Sequence, residues 1–203
     1  YQMAPDADPD YVSREDVVRE RLARQFGTDM EVEIVWVGSY AYRSQCLDSL
    51  RIGRVFFMGD TAKIVSPFGA RGGNTGVADA DNLAWKLKLV LDGAAPEALI
   101  DSYHEERAFA ADDNLRNSTR STDFITPKSR ASLRYRNAVL ELAETENFAR
   151  PLVNSGRLST PTPYLHSSLN TSDEDAFAGS MKPGTNCADA PVRHGGKLAW
   201  FLN

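Results

Sequence analysis

The stretch MGDTAKIVSPFGARGGNTGVADADNLAWKL, residues 58–87, carries the most specific local signals of the chain. It begins at the end of an apolar run with Gly59-Asp60, passes Pro67, and then places four glycines within eight residues: Gly69, Gly72, Gly73 and Gly76. Each glycine weakens a packed element through its conformational entropy, so this cluster indicates that the backbone closely approaches another body. The spacing G-x-x-G-G-x-x-G is neither GxGxxG nor a P-loop. It predicts a ligand-binding turn, and a plain strand-to-helix connection is the alternative.

Periodicity predicts the helices around this stretch. From Thr75 the apolar residues recur at helical spacing, which predicts a helix over 75–93 with Gly93 as its C-terminal cap. The stripe expected to be buried is Val77, Ala80, Ala84, Leu87 and Leu91, widened by Leu83 and Val90. The residues expected to face away are Asp79, Asn82, Lys86 and Asp92. Further helices are predicted from a Ser13/Asp16 capping box to Gly27, from Pro96 to about Ser121, and over about 128–146.

Alternation and short apolar runs predict the strands. Residues 31–37 alternate, with Trp36 among the residues of one face, and a second strand is expected around 39–47, where Tyr40 and Tyr42 share a face. The run RVFFM at 54–58 is typical of a buried strand and is placed to pair with the second one. After Gly156 the chain is rich in Ser, Thr, Pro and Asp without sustained periodicity. This predicts an extended tail that wraps a surface or links to another domain.

Composition and charge exclude several classes of protein. A chain of 203 residues, 42 % hydrophobic and with a net charge of −5, can bury a core but lacks the basic face that nucleic acid requires. No apolar run approaches the length of about 18 residues that a membrane helix needs, and no secretory signal opens the sequence. Cys46 and Cys187 fit no metal or disulfide framework, which favours a reducing cytoplasm. Because the sequence opens on Tyr1 and stops after LAWFLN, we expect a fragment of a longer protein.

The chemistry of Gly59-Asp60 fits a nucleotide-type ligand. In α/β sheets, ligands lie outside the carboxyl ends of the strands. An Asp at that place accepts hydrogen bonds from ribose or ribitol hydroxyls, and the preceding Gly lets a ligand pass close to the backbone. The glycines that open the following helix leave free N–H groups and the positive end of the helix dipole. These groups would face a phosphate or any ligand atom that gains negative charge.

Together these motifs resemble the second flavin motif of class A FAD-dependent aromatic monooxygenases, the family of p-hydroxybenzoate, phenol and 3-(3-hydroxyphenyl)propionate hydroxylases. GRVFFMGDTAK, followed by SPFGARGGNTGVADADNLAWKLKLVLDGAAPEALIDSYHEER, is similar to the family pattern GRVFLAGDAAH and PPxGGQGMNxGxxDAxNLAWKL. The similarity covers about residues 30–125. The resemblance implies the FAD/NAD(P)-binding GR2-type α/β fold for the parent protein. It implies an α+β, mostly helical fragment for this chain.

The resemblance also implies roles for particular residues. Asp60 would accept a hydrogen bond from the FAD ribitol, Gly59 would allow close approach, and Pro67 would line the substrate side of the isoalloxazine. The first turn of the helix would offer backbone N–H groups to the N1–C2=O2 edge, which gains negative charge on reduction. The implied cofactor-binding set is Gly59, Asp60, Pro67, Gly69, Gly72, Gly73 and Asn74. No catalytic acid or base is identifiable, and no metal site is expected.

Three departures from the family pattern bear on the site. Lys63 stands where the family has His, and Arg71 lies where it has Gln. Either cation could supply positive charge near the flavin or could be an ordinary surface residue. The N-terminal GxGxxG that holds the FAD pyrophosphate is absent, as is the family's DG motif. We therefore expect only the inner half of a flavin site, with weak FAD binding or none. His104 is expected to be solvated, and Trp36 and Trp85 to lie in the core.

The function implied by the resemblance is that of a flavoprotein monooxygenase fragment. The parent would hydroxylate a phenolic or aromatic substrate with FAD, NAD(P)H and O2. Residues 1–50 would end the substrate domain, 51–155 would form the C-terminal half of the FAD-binding domain, and 156–203 would lead into a truncated thioredoxin-like domain. Expected partners are a small aromatic substrate and the missing N-terminal half of the FAD domain. A homodimer is a further possibility, and neither nucleic acid nor a membrane is expected as a partner. The alternatives are another FAD oxidoreductase of this fold, such as a polyketide-tailoring oxygenase, and a non-enzymatic helical binding module.

Overall fold

The computed structural model describes residues 6–28, 31–41, 43–174 and 181–200, together with Met3 and Gly179. Helices dominate this part of the chain, and their bounds are α1 Pro9–Val12, α2 Glu15–Phe26, α3 Arg71–Leu91, α4 Asp101–Ile125, α5 Arg130–Thr145 and α6 Arg150–Val153. Short 3-10 turns lie at Gly59–Thr61, Glu97–Ile100, Asn147–Ala149 and Arg157–Ser159. The predicted mostly helical α+β character agrees with this content.

The strands are short and form antiparallel pairs. β1 is Gln45–Cys46, β2 Arg51–Ile52, β3 Val55–Phe56, β4 Lys63–Ile64, β5 Pro191–His194 and β6 Lys197–Trp200. β1 pairs with β4, β2 with β3, and β5 with β6. The predicted pairing of 39–47 with 54–58 is therefore wrong. Gly53, at φ 59°, closes a tight turn that folds β3 back on β2 instead.

The hydrophobic core is small and lies between the β2–β3 hairpin, α3 and α4. Its buried members are Leu50, Ala62, Leu83, Ile100 and Tyr103. Tyr103 packs edge-on against Phe56, and its hydroxyl donates to the Phe57 carbonyl oxygen at 2.6 Å. Burial raises the pKa of this phenol to about 12. The core thus fixes the chain that leads out of β3 against the start of α4.

The predicted helices are present, with bounds that differ from the predicted ones. α3 begins at Arg71 rather than at 75, so Gly72, Gly73 and Gly76 lie in its first turns. Gly93, at φ 71°, follows the C-cap residue Asp92 and donates to the Val90 carbonyl oxygen, as expected of a glycine that ends a helix. The Ser13 capping box is wrong, because the N-cap of α2 is Arg14 and Arg14 instead pairs with Asp16.

Two other predictions about the N-terminal region are also wrong. Residues 31–37 form no strand, since no other segment among the described residues supplies the hydrogen bonds that an extended segment needs. Trp36, expected in the core, is 82 % exposed, and Tyr40 is exposed as well. The second strand shrinks to Gln45–Cys46, and Tyr42 lies outside the described residues. No helix among the described residues is both long and apolar enough to cross a membrane.

Candidate flavin half-site

After β3 the chain forms the Gly59–Thr61 turn, which packs directly on α3. Gly59 adopts φ 56°, a conformation that favours glycine, and its N–H donates to Asp79 Oδ2 at 2.9 Å. A Cβ atom at Gly76 would lie only 3.4 Å from the Gly59 Cα. The turn therefore lies in van der Waals contact with the helix at these two glycines. Asp60, the next residue, is exposed to solvent.

The loop from Pro67 to Ala70 ends at a helix start that no side chain caps. Ala70 is the N-cap residue and adopts the left-handed conformation at φ 51°. The N–H groups of the first helical turn have no intrahelical acceptor, so they are available to a ligand. A Cβ atom at Gly73 would meet nothing within 4 Å, and Gly73 is exposed. The helix start is thus open on the side of Gly73.

The predicted cofactor-binding residues lie on this turn, loop and helix start. Asp60, Pro67, Gly69, Gly73 and Asn74 are exposed, while Gly59 and Gly72 are half-buried. The Asn74 side chain donates to the Ala70 carbonyl oxygen at 2.8 Å, which braces the loop from within. An exposed carboxylate beside an uncapped, glycine-opened helix offers one acceptor and several donors. This donor and acceptor set fits the ribitol and the pyrimidine edge of a flavin.

Behind the half-site lies a buried ionic group that we call the Asp79 cluster: Asp79, Lys63, Arg107 and Tyr164. The Asp79 carboxylate accepts from Lys63 Nζ and, at 2.6 Å, from Arg107 Nε. Arg107 also donates to the Thr75 carbonyl oxygen at 3.2 Å and to the Tyr164 hydroxyl. Lys63, Asp79 and Arg107 are all buried. The cluster ties the Gly59 turn to α3, to α4 and to the tail.

The protonation states in the Asp79 cluster follow from burial and pairing. Burial lowers the pKa of Lys63, although the hydrogen bond and the charge of Asp79 oppose the shift. For Arg107, burial favours the neutral form, but Tyr164 and Asp79 outweigh it, so its pKa is raised. Lys63 therefore neutralises Asp79 inside the protein. This contact replaces the suggested role of a cation beside the flavin.

A second buried polar group joins α3 to α4. Lys86 Nζ donates to Glu106 Oε2 at 2.6 Å and to Asn82 Oδ1 at 2.9 Å. Ser167, in the tail, donates to Glu106 Oε1 at 2.6 Å. Burial alone would raise the pKa of Glu106, but the hydrogen bonds from Asn82, Lys86 and Ser167 outweigh it and hold that pKa below its ordinary value. The tail is therefore bonded to this group as well.

The predicted buried stripe of α3 is confirmed only in part. Leu83 is buried and Leu87 and Val90 pack against the core, but the polar face of the helix is buried as well. The buried residues of this helix are Thr75, Asp79, Asn82, Leu83 and Lys86, whereas Val77 and Leu91 are 72 % and 80 % exposed. Trp85, predicted to be in the core, is also exposed. A signal was present, because Asp79, Asn82 and Lys86 recur at helical spacing and Glu106-Arg107 supply opposite charges on α4. Periodicity alone does not say which face is buried.

His104 differs from its expected solvated state as well. It is half-buried, and its Nδ1 accepts from the Leu50 N–H at 3.3 Å. The residue therefore joins α4 to the chain before β2. No cluster of His, Cys, Asp and Glu side chains in the described part of the chain could hold a metal ion.

Comparison with known proteins assigns the chain to a family. Residues 2–118 match the family of FAD-binding domains, and the chain belongs to that family, whose cofactor is FAD. It is 53 % identical over 79 residues to 4-methyl-5-nitrocatechol 5-monooxygenase from a Burkholderia species, covering 39 % of this chain and 14 % of that protein. It is 34 % identical over 209 residues to 6-methylpretetramide 4-monooxygenase from Streptomyces rimosus, covering 95 % of this chain and 36 % of that protein.

A solved structure shares the fold. The chain superposes on the flavin-dependent monooxygenase PieE, solved in complex with FAD and substrate, with a TM-score of 0.74 and 24 % identity. That match covers 98 % of this chain and 40 % of the other. The chain spans about a third or less of the length of the two curated relatives described above. The resemblance to class A FAD-dependent aromatic monooxygenases is confirmed by the family match and by the names of these relatives.

Proposed function

We propose that this chain forms the C-terminal half of the FAD-binding domain of a monooxygenase that hydroxylates an aromatic substrate with FAD, NAD(P)H and O2. The relatives in the same family, which are named monooxygenases, support this activity. FAD, when bound, supplies the electrons that activate O2 for transfer of one oxygen atom to the ring. The observation that carries the proposal is the contact of the Gly59–Thr61 turn with a helix start that no side chain caps.

In this proposal each predicted site residue has a task. Asp60 accepts a hydrogen bond from the ribitol, and Pro67 borders the substrate side of the ring system. The N–H groups around Gly72 and Gly73, with the helix dipole behind them, stabilise negative charge on the pyrimidine edge. The remaining residues of the set, Gly59, Gly69 and Asn74, shape the backbone around these groups.

The proposal also covers the domain boundaries and the class of substrate. Residues 1–50 would return from a substrate domain, 51–155 would belong to the FAD-binding domain, and 156–203 would lead to a thioredoxin-like domain. The proposed substrate class is a phenolic or other aromatic compound, since one relative is named for a nitrocatechol and another for 6-methylpretetramide. We keep the cytoplasm as the proposed compartment, on the basis of the free Cys46 and Cys187.

Replacing Asp60 by Ala tests the proposal in the natural polypeptide that contains this sequence. Asp60 is exposed, so its loss should leave the thermal stability of the apoprotein unchanged. The loss of one charged hydrogen bond should weaken FAD binding by roughly 1–3 kcal/mol, or about 5- to 150-fold. FAD titration followed by flavin fluorescence measures the affinity.

The matched control is Asp92→Ala, an exposed Asp at the opposite end of α3 that pairs with Lys88. It should retain wild-type FAD affinity, since exposed pairs contribute little. Equal affinity of wild type and Asp60→Ala would contradict the proposal and favour the non-enzymatic binding module.

A further inference from the structure

Arg71 is the first residue of α3, directly before Gly72 and Gly73, and its guanidinium is bonded to the tail. Nε donates to the Leu158 carbonyl oxygen at 2.8 Å. The terminal nitrogens donate to the carbonyl oxygens of Arg157 at 2.8 Å and Thr160 at 2.9 Å, and to Asn114 Oδ1 on α4 at 2.7 Å. Three backbone carbonyls of one short turn thus converge on one side chain. This geometry requires the planar fork of a guanidinium.

The same turn contacts the loop before α3 from its other side. Gly69 adopts φ 85°, and a Cβ atom there would lie 3.0 Å from the Leu158 side chain. Residues 157–160 therefore touch the loop at Gly69 and the helix start at Arg71. Between these two contacts lies Ala70, the left-handed N-cap residue directly before α3, whose side chain makes no capping hydrogen bond.

The tail is in turn fixed to α4 by further hydrogen bonds and an ion pair. Arg157 pairs with Asp113 at 2.8 Å, and the Thr162 hydroxyl donates to the same carboxylate at 2.7 Å. Farther along, Ser168 bonds to Glu105 through its N–H and its hydroxyl at 2.9 and 2.6 Å. These bonds give the turn a rigid support on α4.

We propose that Arg71 and residues 157–160 form a clamp that sets the position of the first turn of α3, and that Arg71 acts as a positioning residue rather than as a charge beside the flavin. The first turn has two successive glycines and no side-chain cap, and the bonds from Asn74 and Thr75 to the Ala70 and Arg71 carbonyl oxygens are internal to the helix start. They do not fix where that start lies relative to α4 and the tail. The clamp supplies that fixation from a segment about 90 residues later in the chain. This inference rests on the proposed flavin half-site.

If the clamp sets the position of the helix start, a positive charge at position 71 without the planar guanidinium group is insufficient to hold it. In the natural polypeptide that contains this sequence, Arg71→Lys keeps the charge but cannot bond three carbonyls at once, so it should behave like Arg71→Gln. Both should raise deuterium uptake in residues 157–164. Both should also weaken FAD binding by roughly 10-fold and lower the flavin reduction potential, because the helix start moves from the position where it stabilises the reduced ring.

Two further variants make the test independent of Arg71 itself. Thr162→Val removes a hydrogen bond between the tail and Asp113 without changing any charge near Arg71, and should reproduce the deuterium uptake and part of the loss in FAD affinity. Arg116→Gln removes an exposed arginine of α4 that pairs with Asp112 one turn before it. It should leave uptake, affinity and potential unchanged.

The remaining outcomes separate the clamp from the proposed function. If Arg71→Lys retains wild-type affinity and potential while Arg71→Gln loses them, Arg71 acts through its charge and the clamp is wrong. If uptake rises but affinity and potential stay constant, the contact only anchors the tail, which also overturns the inference. If the wild type binds no FAD, the proposed function fails together with the positioning role, whatever the deuterium uptake shows about the contact.

Discussion

At the scale of single residues, Asp79 combines a charged side chain with complete burial. It is fully buried, and its two oxygens accept from the Gly59 N–H, Lys63 and Arg107. Removing a buried charge whose partners stay behind is far more costly than removing an exposed one. The stability of the chain and the shape of the Gly59 turn therefore depend on the same carboxylate.

This dependence predicts an unequal cost for the two halves of one ion pair. Asp79→Ala leaves two buried cations unpaired and should lower the free energy of unfolding by about 3–5 kcal/mol. Lys63→Met fills similar space, and Asp79 keeps Arg107 and the Gly59 N–H, so its cost should be clearly smaller. Urea denaturation followed by circular dichroism measures both. Equal costs for the two variants would show that Arg107 does not compensate for Lys63.

Residues of this kind are the hardest to place from the sequence. The pattern of Gly59-Asp60 and the following glycines predicts a ligand-binding turn, and this stays a prediction, although the close approach of that turn to α3 is present in the structure. Lys63 and Arg71 could not be placed, since a cation in a loop can equally face solvent, a ligand or a carboxylate. Their partners, Asp79 and residues 157–160, are distant in sequence, and only the folded chain brings them together.

At the scale of elements, α3 shows what periodicity does and does not determine. The existence of this helix and its end at Gly93 followed from the pattern. Its orientation did not, because both faces carry residues at helical spacing: an apolar face with Val77 and Leu91, and a polar face with Asp79 and Lys86. The polar face is buried because α4 offers Glu106 and Arg107 as partners, which removes the penalty for burying charge.

The orientation of α3 predicts opposite effects for two leucines in this chain. Leu83→Ala, at a core position with 3 % exposure, should lower the free energy of unfolding by about 2–5 kcal/mol. Leu91→Ala, at an exposed position that periodicity had assigned to the buried stripe, should change it by less than about 0.5 kcal/mol. Chemical denaturation of the two variants checks this. A larger loss for Leu91→Ala would mean that the helix is turned the other way.

At the scale of the whole molecule, the proposed half-site would be assembled from three parts of the chain. The Gly59 turn supplies an exposed carboxylate, the start of α3 supplies N–H groups, and the tail holds that start through Arg71. The tail was predicted to wrap a surface or to link domains, and residues 157–170 do lie against α3 and α4 through specific hydrogen bonds. Which surface it wraps could not be read from a segment without periodicity.

The central claim is that the open side of Gly73 is kept free for FAD, and Gly73→Ala tests it most directly. A Cβ atom there meets nothing within 4 Å of this chain, and Ala is a better helix residue than Gly. Apoprotein stability should therefore be unchanged or raised by up to about 1 kcal/mol. The methyl group would intrude on the bound ring, so FAD affinity should fall by about 5- to 150-fold, the equivalent of a 1–3 kcal/mol overpacking penalty.

Thr119→Ala, an exposed position of α4 with a similar gain in helix propensity, is the matched control and should leave FAD affinity unchanged. The decisive measurement is FAD titration of the Gly73→Ala apoprotein beside its thermal unfolding. Weakened FAD binding with intact or increased stability is expected if the open side of Gly73 faces the flavin. Wild-type affinity in a stable Gly73→Ala protein would contradict it, because the glycine would then have no ligand to make room for.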